Sequence, residues 1–381
     1  MSAFPYHYTL IVPTFNRSEK LKALINFLEC QGCEFLILIA DSSEHSHRKN
    51  NKALVQTSHL NIDYHEFDIS LSPFKKFQET VDRVKTTFCS LCADDDVIHL
   101  TSIPKITRFL SQNSDYAAAH GYYYSFINIP QNKITDLCYR SPSNIDNDPI
   151  RRLESLFTNY EAITYAVYRT NMLQDILKRI QSLDTLLGKE LLAGALTVAA
   201  GKVARLPFIY MGRSGGPSHS YLNWHPVEIL ASNPDKLYQE YKKYRQVLSD
   251  FILEKNNKLY SKDTLLKAID FIHFSYMGEF LTVPIMQYLV SQVLTHRSLS
   301  DTMQGLWPLI IAAQNKKLKE EKESLSSNFP YKKLKEFQKG SFLFEHLLVE
   351  KLTQVSQDNF NFYIEDISEN MESYKSGIRK I

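Results

Sequence analysis

The chain has 381 residues, 44% of them hydrophobic, with 44 Lys and Arg set against 42 Asp and Glu. That is length for two or three domains and ample material for a core, while the near-balanced charge leaves no electrostatic footprint for nucleic acid. No apolar run reaches the ~18–20 residues needed to span a bilayer, no signal peptide precedes the first strand, and 5 cysteines do not suggest a disulfide framework, so a cytoplasmic protein is expected, peripheral at the membrane at most.

Tyr8 to Pro13 (YTLIVP) reads as a first buried strand, and the polar turn Thr14-Phe15-Asn16-Arg17-Ser18 follows it. Ser18 is placed to N-cap a helix whose apolar face is Leu21, Leu24, Ile25 and Leu28, and Gly32 stops that helix. Phe35 to Ala40 (FLILIA) is a second continuous apolar run, closed by Asp41-Ser42-Ser43. Apolar strands joined by a crossover helix predict a mainly parallel sheet covered on both faces. Asn61 to Phe67 is a weaker third strand, and Pro73 to Val84 a helix with Phe74, Phe77 and Val81 on one side. The next run, Phe88 to Ala93, ends in three carboxylates, Asp94, Asp95 and Asp96.

Adjacent like charges at the C-terminal end of a strand, where open α/β sheets bind ligands, read in two ways. One is a solvated acidic turn. The other is a divalent-cation site, because hard oxygen donors suit Mg2+ or Mn2+ and such ions bridge one or two carboxylates to substrate phosphates. The second reading gains from Thr14–Arg17 and Asp41–Ser43, which end their strands on the same edge. Glycine is scarce, at 12, and neither the P-loop pattern nor the dinucleotide fingerprint is present.

Leu10-Ile-Val-Pro-Thr-Phe-Asn-Arg17, Leu38-Ile-Ala-Asp-Ser-Ser43 and Cys92-Ala-Asp-Asp-Asp-Val97, in that order and spacing, resemble the three nucleotide-sugar motifs of glycosyltransferase family 2. The resemblance spans residues 6–215 at most and is firmest over 8–100. It implies the GT-A fold, a Rossmann-like sheet carrying a metal-binding DxD motif, with Mn2+ or Mg2+ as cofactor and a nucleotide sugar as donor. By this resemblance Pro13, Thr14, Asn16, Arg17 and Ser42 lie around the nucleotide. Asp41 would hydrogen-bond the base, its acceptor oxygens suiting the N3–H of a uracil. Asp94 would face the ribose or donor sugar, Asp96 would hold the metal with Asp94 beside it, and Asp95 lies between them. Lys75 and Lys76 are candidate phosphate contacts, against the alternative of a solvated helix face. Arg17 is equally open to reading as an ordinary helix-start residue.

Beyond Asp96 the sequence predicts a helix from Ile103 to Leu110 and an aromatic strand from Tyr116 to Phe126, in which Tyr122 to Tyr124 are candidates to line a sugar pocket, against the alternative that two of the three are core, and His120 is a satisfied sheet histidine. Gln131 to Asn147 reads as a loop or excursion, Asp148-Pro149 opens a helix through Phe157, Ile163 to Arg169 is a strand, and Asn171 to Ile180 a helix. A helix from Lys189 to Ala200 ends at Gly201, a C′ residue, before a strand from Val203 to Met211. The family usually carries a Glu-Asp pair at the start of such a helix. In that register Lys189 stands for the first acid and Glu190 for the second. Glu190 is therefore the candidate general base, removing the proton of an acceptor hydroxyl, and Asp184 is the reserve. The alternative for Glu190 is a helix N-terminal acid stabilised by the dipole. Arg213 to His219 contains Gly215-Gly216 and resembles the segment that closes over the diphosphate in related enzymes. In it Arg213 is a candidate counter-charge and His219 a candidate metal ligand, with His225 an outside option.

From Pro226 onward helices are expected at 238–255, 262–280, 284–295, 306–319 and 342–355, with a charged face at 316–324. Residues 1–225 are thus expected to form the transferase domain, its nucleotide-sugar half at 1–100 and acceptor half at 101–225, and 226–381 a helical domain for acceptor binding, dimerisation or membrane-surface docking. Two C-x-x-C pairs, Cys30/Cys33 and Cys89/Cys92, are expected to be free thiols, since strand residues three apart point to opposite faces and cannot chelate one zinc. The expected activity is metal-dependent, inverting transfer of a sugar, UDP-linked in first preference, to an acceptor hydroxyl in surface glycan or glycoconjugate synthesis. The rivals are a nucleotidyltransferase and an inactive transferase-like scaffold.

Overall fold

The computed structural model describes residues 7–127, 133–138, 141–158, 160–214, 234–255 and 260–280. By contact the described residues form two compact units, one of 7–181 and 193–214, the other of 182–192, 234–255 and 260–280.

The first unit is built on the α/β sheet that the apolar runs predict. Its first half alternates strand and helix: β1 (Tyr8–Thr14), α1 (Ser18–Cys30), β2 (Leu36–Asp41), α2 (His45–Thr57), β3 (Ile62–Glu66), α3 (Pro73–Val81) and β4 (Phe88–Leu91). The second half holds β5 (Val97–Ile98), α4 (Ser102–Gln112), β6 (Tyr116–Ile127), β7 (Lys133–Cys138), α5 (Pro149–Thr158), β8 (Val167–Arg169), α6 (Thr170–Arg179) and β9 (Lys202–Ser214). The strand order is β3-β2-β1-β4-β8-β6-β9-β5, with β7 paired to β6. β1 pairs in parallel with both β2 and β4, β2 with β3, and β6 with β9. β8 runs antiparallel between β4 and β6, so those two strands share one direction. β1 and β2 are buried almost throughout, as continuous apolar strands of a covered sheet must be.

Several expectations change. Ser18 does not N-cap α1: Arg17 occupies that position, and the Ser18 hydroxyl pairs with His47 of α2 instead. α2 lacks an apolar stripe; its one buried residue is Asn51, so nothing periodic marks it. The stretch read as an excursion contains β7, a hairpin partner of β6. Of the strand expected at Ile163 to Arg169 only Val167–Arg169 pairs, because a turn closes from Ala166 N–H to the Ile163 carbonyl. Gly201 does follow a helix end, but not in a left-handed conformation. A Cβ there would lie 2.8 Å from the Asp115 carbonyl oxygen, so glycine is required by close approach.

In the second unit, α8 (Pro234–Lys255) and α9 (Lys262–Phe280) pack through rings: His273 lies 5.1 Å from Tyr241 and 4.8 Å from Tyr244. Burial pushes the His273 imidazole down to about 4, so this contact is made by a neutral ring. Phe271 of α9 is 70% exposed. The helices expected beyond 280 lie outside the described residues. α7 (Leu186–Ala200) begins in this unit and ends in the first. It starts three residues before the expected Lys189, with Thr185 as N-cap: the Thr185 hydroxyl accepts the Gly188 N–H at 3.0 Å. Glu240 of α8 accepts the Asp184 and Thr185 N–H groups, both at 2.8 Å, and so places a carboxylate at the positive end of α7.

Candidate functional site

Strand register brings the three polar clusters level. Thr14 pairs with Asp41, and Ile11 pairs with Leu91, so Thr14 and Asp94 each lie three residues beyond a paired position. The Thr14 hydroxyl donates to Asp94 Oδ2 at 2.7 Å.

The first two loops are stitched to each other. Asn16 adopts φ +54°, a left-handed conformation that asparagine tolerates better than most residues. Its N–H donates to Ser43 Oγ at 2.8 Å, and its side-chain oxygen accepts the Glu44 N–H at 2.7 Å. Lys76 of α3 lies beneath them. It is 5% exposed, and its Nζ donates to the Thr14 carbonyl at 2.9 Å and to Ser42 Oγ at 2.8 Å. Burial lowers the Lys76 ammonium to about 8, although Asp41 and Asp94 pull the other way. Lys76 is thus no solvated helix face, whereas Lys75 is partly exposed and pairs with Gln78 and Glu79.

Asp41 is fully buried. Its Oδ1 accepts the Ser43 N–H at 2.7 Å, and its Oδ2 accepts Asn51 Nδ2 at 2.7 Å and the Tyr64 hydroxyl at 2.6 Å. Burial raises the Asp41 carboxyl, but these hydrogen bonds outweigh it and leave it below the ordinary value. Neither Asn51 nor Tyr64 carries a sequence signal that marks it as a partner of this carboxylate.

Charge pairs dominate at the third cluster. Arg17 Nη1 bridges Asp94 Oδ1 at 3.1 Å and Asp95 Oδ2 at 3.0 Å. Arg213, at the end of β9, sets Nε 2.8 Å from Asp96 Oδ2, and the next residue donates its backbone N–H to Asp96 Oδ1 at 2.9 Å. The Arg213 guanidinium lies 4.2 Å over the Tyr165 ring, within cation–π range. Arg17 and Arg213 thus face three carboxylates, two of them 2% exposed. Burial pushes Asp94 and Asp96 each up to about 6; Arg17 and Arg213 respectively oppose that rise, and neighbouring Asp95 adds to it.

Among the described residues no cluster of three or more His, Cys, Asp or Glu is arranged to hold a metal alone. The donor set nevertheless suits a hard divalent cation. Asp96 Oδ2 is buried and accepts no well-aligned hydrogen bond, despite its close charge pair with Arg213. A cation held by one or two carboxylates and completed by phosphate oxygens fits such a site.

The remaining expected residues are dispersed. Pro13 precedes Thr14 on the rim and is partly exposed, while Ser42 is buried. Phe15, 48% exposed between Thr14 and Asn16, offers an aromatic face at this rim. Glu190 is part-buried in the second turn of α7, which removes the first-turn position its dipole alternative assumed. Asp184 is exposed and pairs with Lys243 at 3.2 Å. Both belong to the second unit. His219, His225 and the Gly215-Gly216 segment lie outside the described residues. Tyr123 and Tyr124 are core, as expected, and His120 Nδ1 pairs with the Gly121 carbonyl at 2.8 Å. Cys33, Cys89 and Cys92 are buried free thiols, while Cys30 is free and exposed. No helix among the described residues is long and apolar enough to cross a membrane.

No family model and no curated protein matches the chain. Solved structures do. S. aureus TarS residues 1–349 aligns over 81% of this chain and 87% of that one, at 17% identity and TM-score 0.47. The same protein in complex with UDP-GlcNAc gives equal coverage, 15% identity and TM-score 0.49. The mannosyltransferase PcManGT from Pyrobaculum calidifontis, in complex with GDP-Man and Mn2+, aligns over 83% of this chain and 88% of that one, at 11% identity and TM-score 0.41. Likenesses this distant leave the functional reading to the chain's own residues.

Proposed function

We propose that this chain is a metal-dependent glycosyltransferase that moves a sugar, with inversion, from a nucleotide diphosphate sugar to an acceptor hydroxyl, with UDP the first candidate nucleotide. The observation that carries the reading is the convergence of three separate strand ends on one edge, with Asp94 and Asp96 buried there against arginines. A solvated acidic turn would leave those carboxylates in water. Here their charge is kept out of solvent by specific partners, at a desolvation cost that a merely structural turn has no reason to carry.

In this reading Thr14, Asn16 and Arg17 border the nucleotide, and Lys76 holds the loops that carry them. Asp96, with Asp94 beside it, would hold Mn2+ or Mg2+, which supplies charge stabilisation to the leaving diphosphate. Arg17 and Arg213 present guanidinium groups suited to phosphate as well as to carboxylate. Glu190 is the proposed base that takes the acceptor's proton as its oxygen attacks the anomeric carbon. Its support is the sequence register before Gly201 and the following strand. Residues 1–225 are proposed as the transferase domain and 226–381 as a helical domain.

The test is release of free nucleotide from a panel of nucleotide sugars with Mn2+, run beside Asp96→Asn and Glu190→Gln. Release from one donor, lost in Asp96→Asn, supports the class and names the sugar. Once an acceptor is known, Glu190→Gln should lose transfer while keeping donor binding. The scaffold reading draws on Lys189, a lysine where the family has an acid, and predicts no metal-dependent nucleotide binding at all.

A further inference from the structure

We infer that Arg213 is an exchangeable counter-ion, holding Asp96 while the site lacks a donor and passing to the donor's diphosphate when a divalent cation takes Asp96 in its place. The inference rests on the nucleotide-sugar reading above and adds to it a coupling between cation and donor.

Asp96 is gripped on both oxygens by consecutive residues of β9. Ser214 N–H holds Oδ1 at 2.9 Å and Arg213 Nε lies 2.8 Å from Oδ2. The two grips differ in kind. The backbone N–H is neutral, fixed by the strand, and able to stay when a cation arrives. The guanidinium carries a full charge on a side chain that is partly exposed, whereas Asp96 is buried. A divalent cation on Oδ2 would meet that guanidinium at contact distance, where like charges repel strongly in a partly desolvated setting. Arg213 must therefore leave Oδ2 for the cation to enter.

The second observation concerns where Arg213 can go. Its guanidinium rests 4.2 Å over the Tyr165 ring, a support that does not depend on Asp96. An arginine shared between an aromatic face and a carboxylate can exchange the carboxylate for phosphate oxygens, which match the same planar fork. The other arginine is placed differently. Arg17 spans Asp94 and Asp95 together, one positive charge shared by two carboxylates, and forms no salt bridge with Asp96. The cluster is thus divided between a shared grip on two carboxylates and a one-to-one grip on the third.

A cation binding alone must leave Arg213 without its carboxylate. A donor binding alone must draw Arg213 away and leave Asp96 buried without its counter-charge. Together each relieves the other's cost, so their binding is positively coupled, and by linkage each tightens the other by the same factor.

The experiment is isothermal titration calorimetry on the full chain with Mn2+ alone, Mn2+ in saturating UDP, UDP alone, and UDP in saturating Mn2+, for wild type, Arg213→Gln and Arg213→Lys. In wild type, Mn2+ alone should bind at least about ten-fold more weakly than Mn2+ in saturating UDP. Arg213→Gln should tighten Mn2+ alone and weaken UDP with Mn2+, so that the coupling shrinks. Arg213→Lys, a point charge without the planar fork, should fall between. Mn2+ that binds Arg213→Gln no more tightly than wild type overturns the inference, as does wild type in which UDP leaves Mn2+ affinity unchanged. The wild-type comparison stands even if a variant fails to fold. Absence of UDP binding to wild type, with or without Mn2+, overturns the nucleotide-sugar reading; the Mn2+ titrations of wild type and Arg213→Gln then still decide whether Arg213 guards Asp96.

Discussion

Two buried carboxylates end neighbouring parts of the sheet, and they are held in opposite ways. Asp41, at the end of β2, is surrounded by neutral donors: an amide, a phenol and a backbone N–H. Asp96, beyond the end of β4, is held by a backbone N–H and a guanidinium. Neutral donors that point only at the ionised carboxylate stabilise it, so Asp41 lies below the ordinary carboxylate value. Asp96 lies near 6 because burial outweighs its arginine and the adjacent carboxylates add repulsion. One carboxylate has its charge met by neutral donors within the protein, and the other by a guanidinium that, on the inference above, exchanges. On the proposed reading the difference separates a residue that builds the rim from one that would hold the cation.

The largest expected effect tests the working side. Asp96→Asn keeps an oxygen for the Ser214 N–H but loses the charge that would hold a cation. Metal-dependent release of nucleotide should fall by about 10²–10³-fold, the scale of losing one major electrostatic contribution, while the thermal midpoint shifts little. A variant with full activity would remove Asp96 from the site. The building side should respond the other way. Asp41→Ala strands the Asn51 amide, the Tyr64 hydroxyl and the Ser43 N–H in a buried place. The cost should be roughly 3 kcal/mol in denaturant unfolding. An unchanged midpoint together with lost UDP binding would instead make Asp41 a direct ligand contact, as the family resemblance implied.

The backbone of this comparison is legible in the sequence. Continuous apolar runs gave β1, β2 and β4, and their polar ends gave the rim. The partners were not legible, because they come from distant segments that carry no pattern of their own. Tyr64 lies on a half-exposed edge strand, and Asn51 on a helix whose outward polarity hides its periodicity. Arg213 meets Asp96 only because β9 returns beside β5, where Val97 pairs with Gly212. Lys76 looked like half of a solvated pair; its neighbour Lys75 is one, and a single helical step turns Lys76 inward beneath Thr14 and Ser42.

Lys76 gives the comparison a pH dependence of predictable sign. In the folded chain its ammonium titrates at about 8, against an ordinary 10.5, because burial penalises the charged form. Between those values the unfolded chain binds more protons than the folded one, so stability rises as pH increases from about 8 toward 10.5. Below 8 both states are charged and the full penalty is present. The contribution is on the order of 3 kcal/mol. It should appear as the difference between wild type and Lys76→Met in unfolding free energy across that window. A flat difference would mean that Lys76 retains its proton by exposure or stronger pairing.

The smallest effect isolates one bond of the neutral network. Tyr64→Phe removes the hydroxyl that donates to Asp41 Oδ2 at 2.6 Å while keeping the ring. The same oxygen still accepts the Asn51 amide, so the carboxylate is not stranded. The loss should be about 1–2 kcal/mol, since the acceptor is charged but only one of its donors is gone. The pH dependence should change as well. Donors that stabilise the ionised form contribute above the unfolded carboxylate's titration and are lost as pH falls through the folded value. Tyr64→Phe should therefore cost most near neutrality and little in acid, where Asp41 is protonated in both proteins. In a double-mutant cycle, Tyr64→Phe and Asn51→Ala should be non-additive, because both donors act on one oxygen. Strict additivity would mean that the two donors do not share a carboxylate, and the contrast between Asp41 and Asp96 would then lose its structural basis.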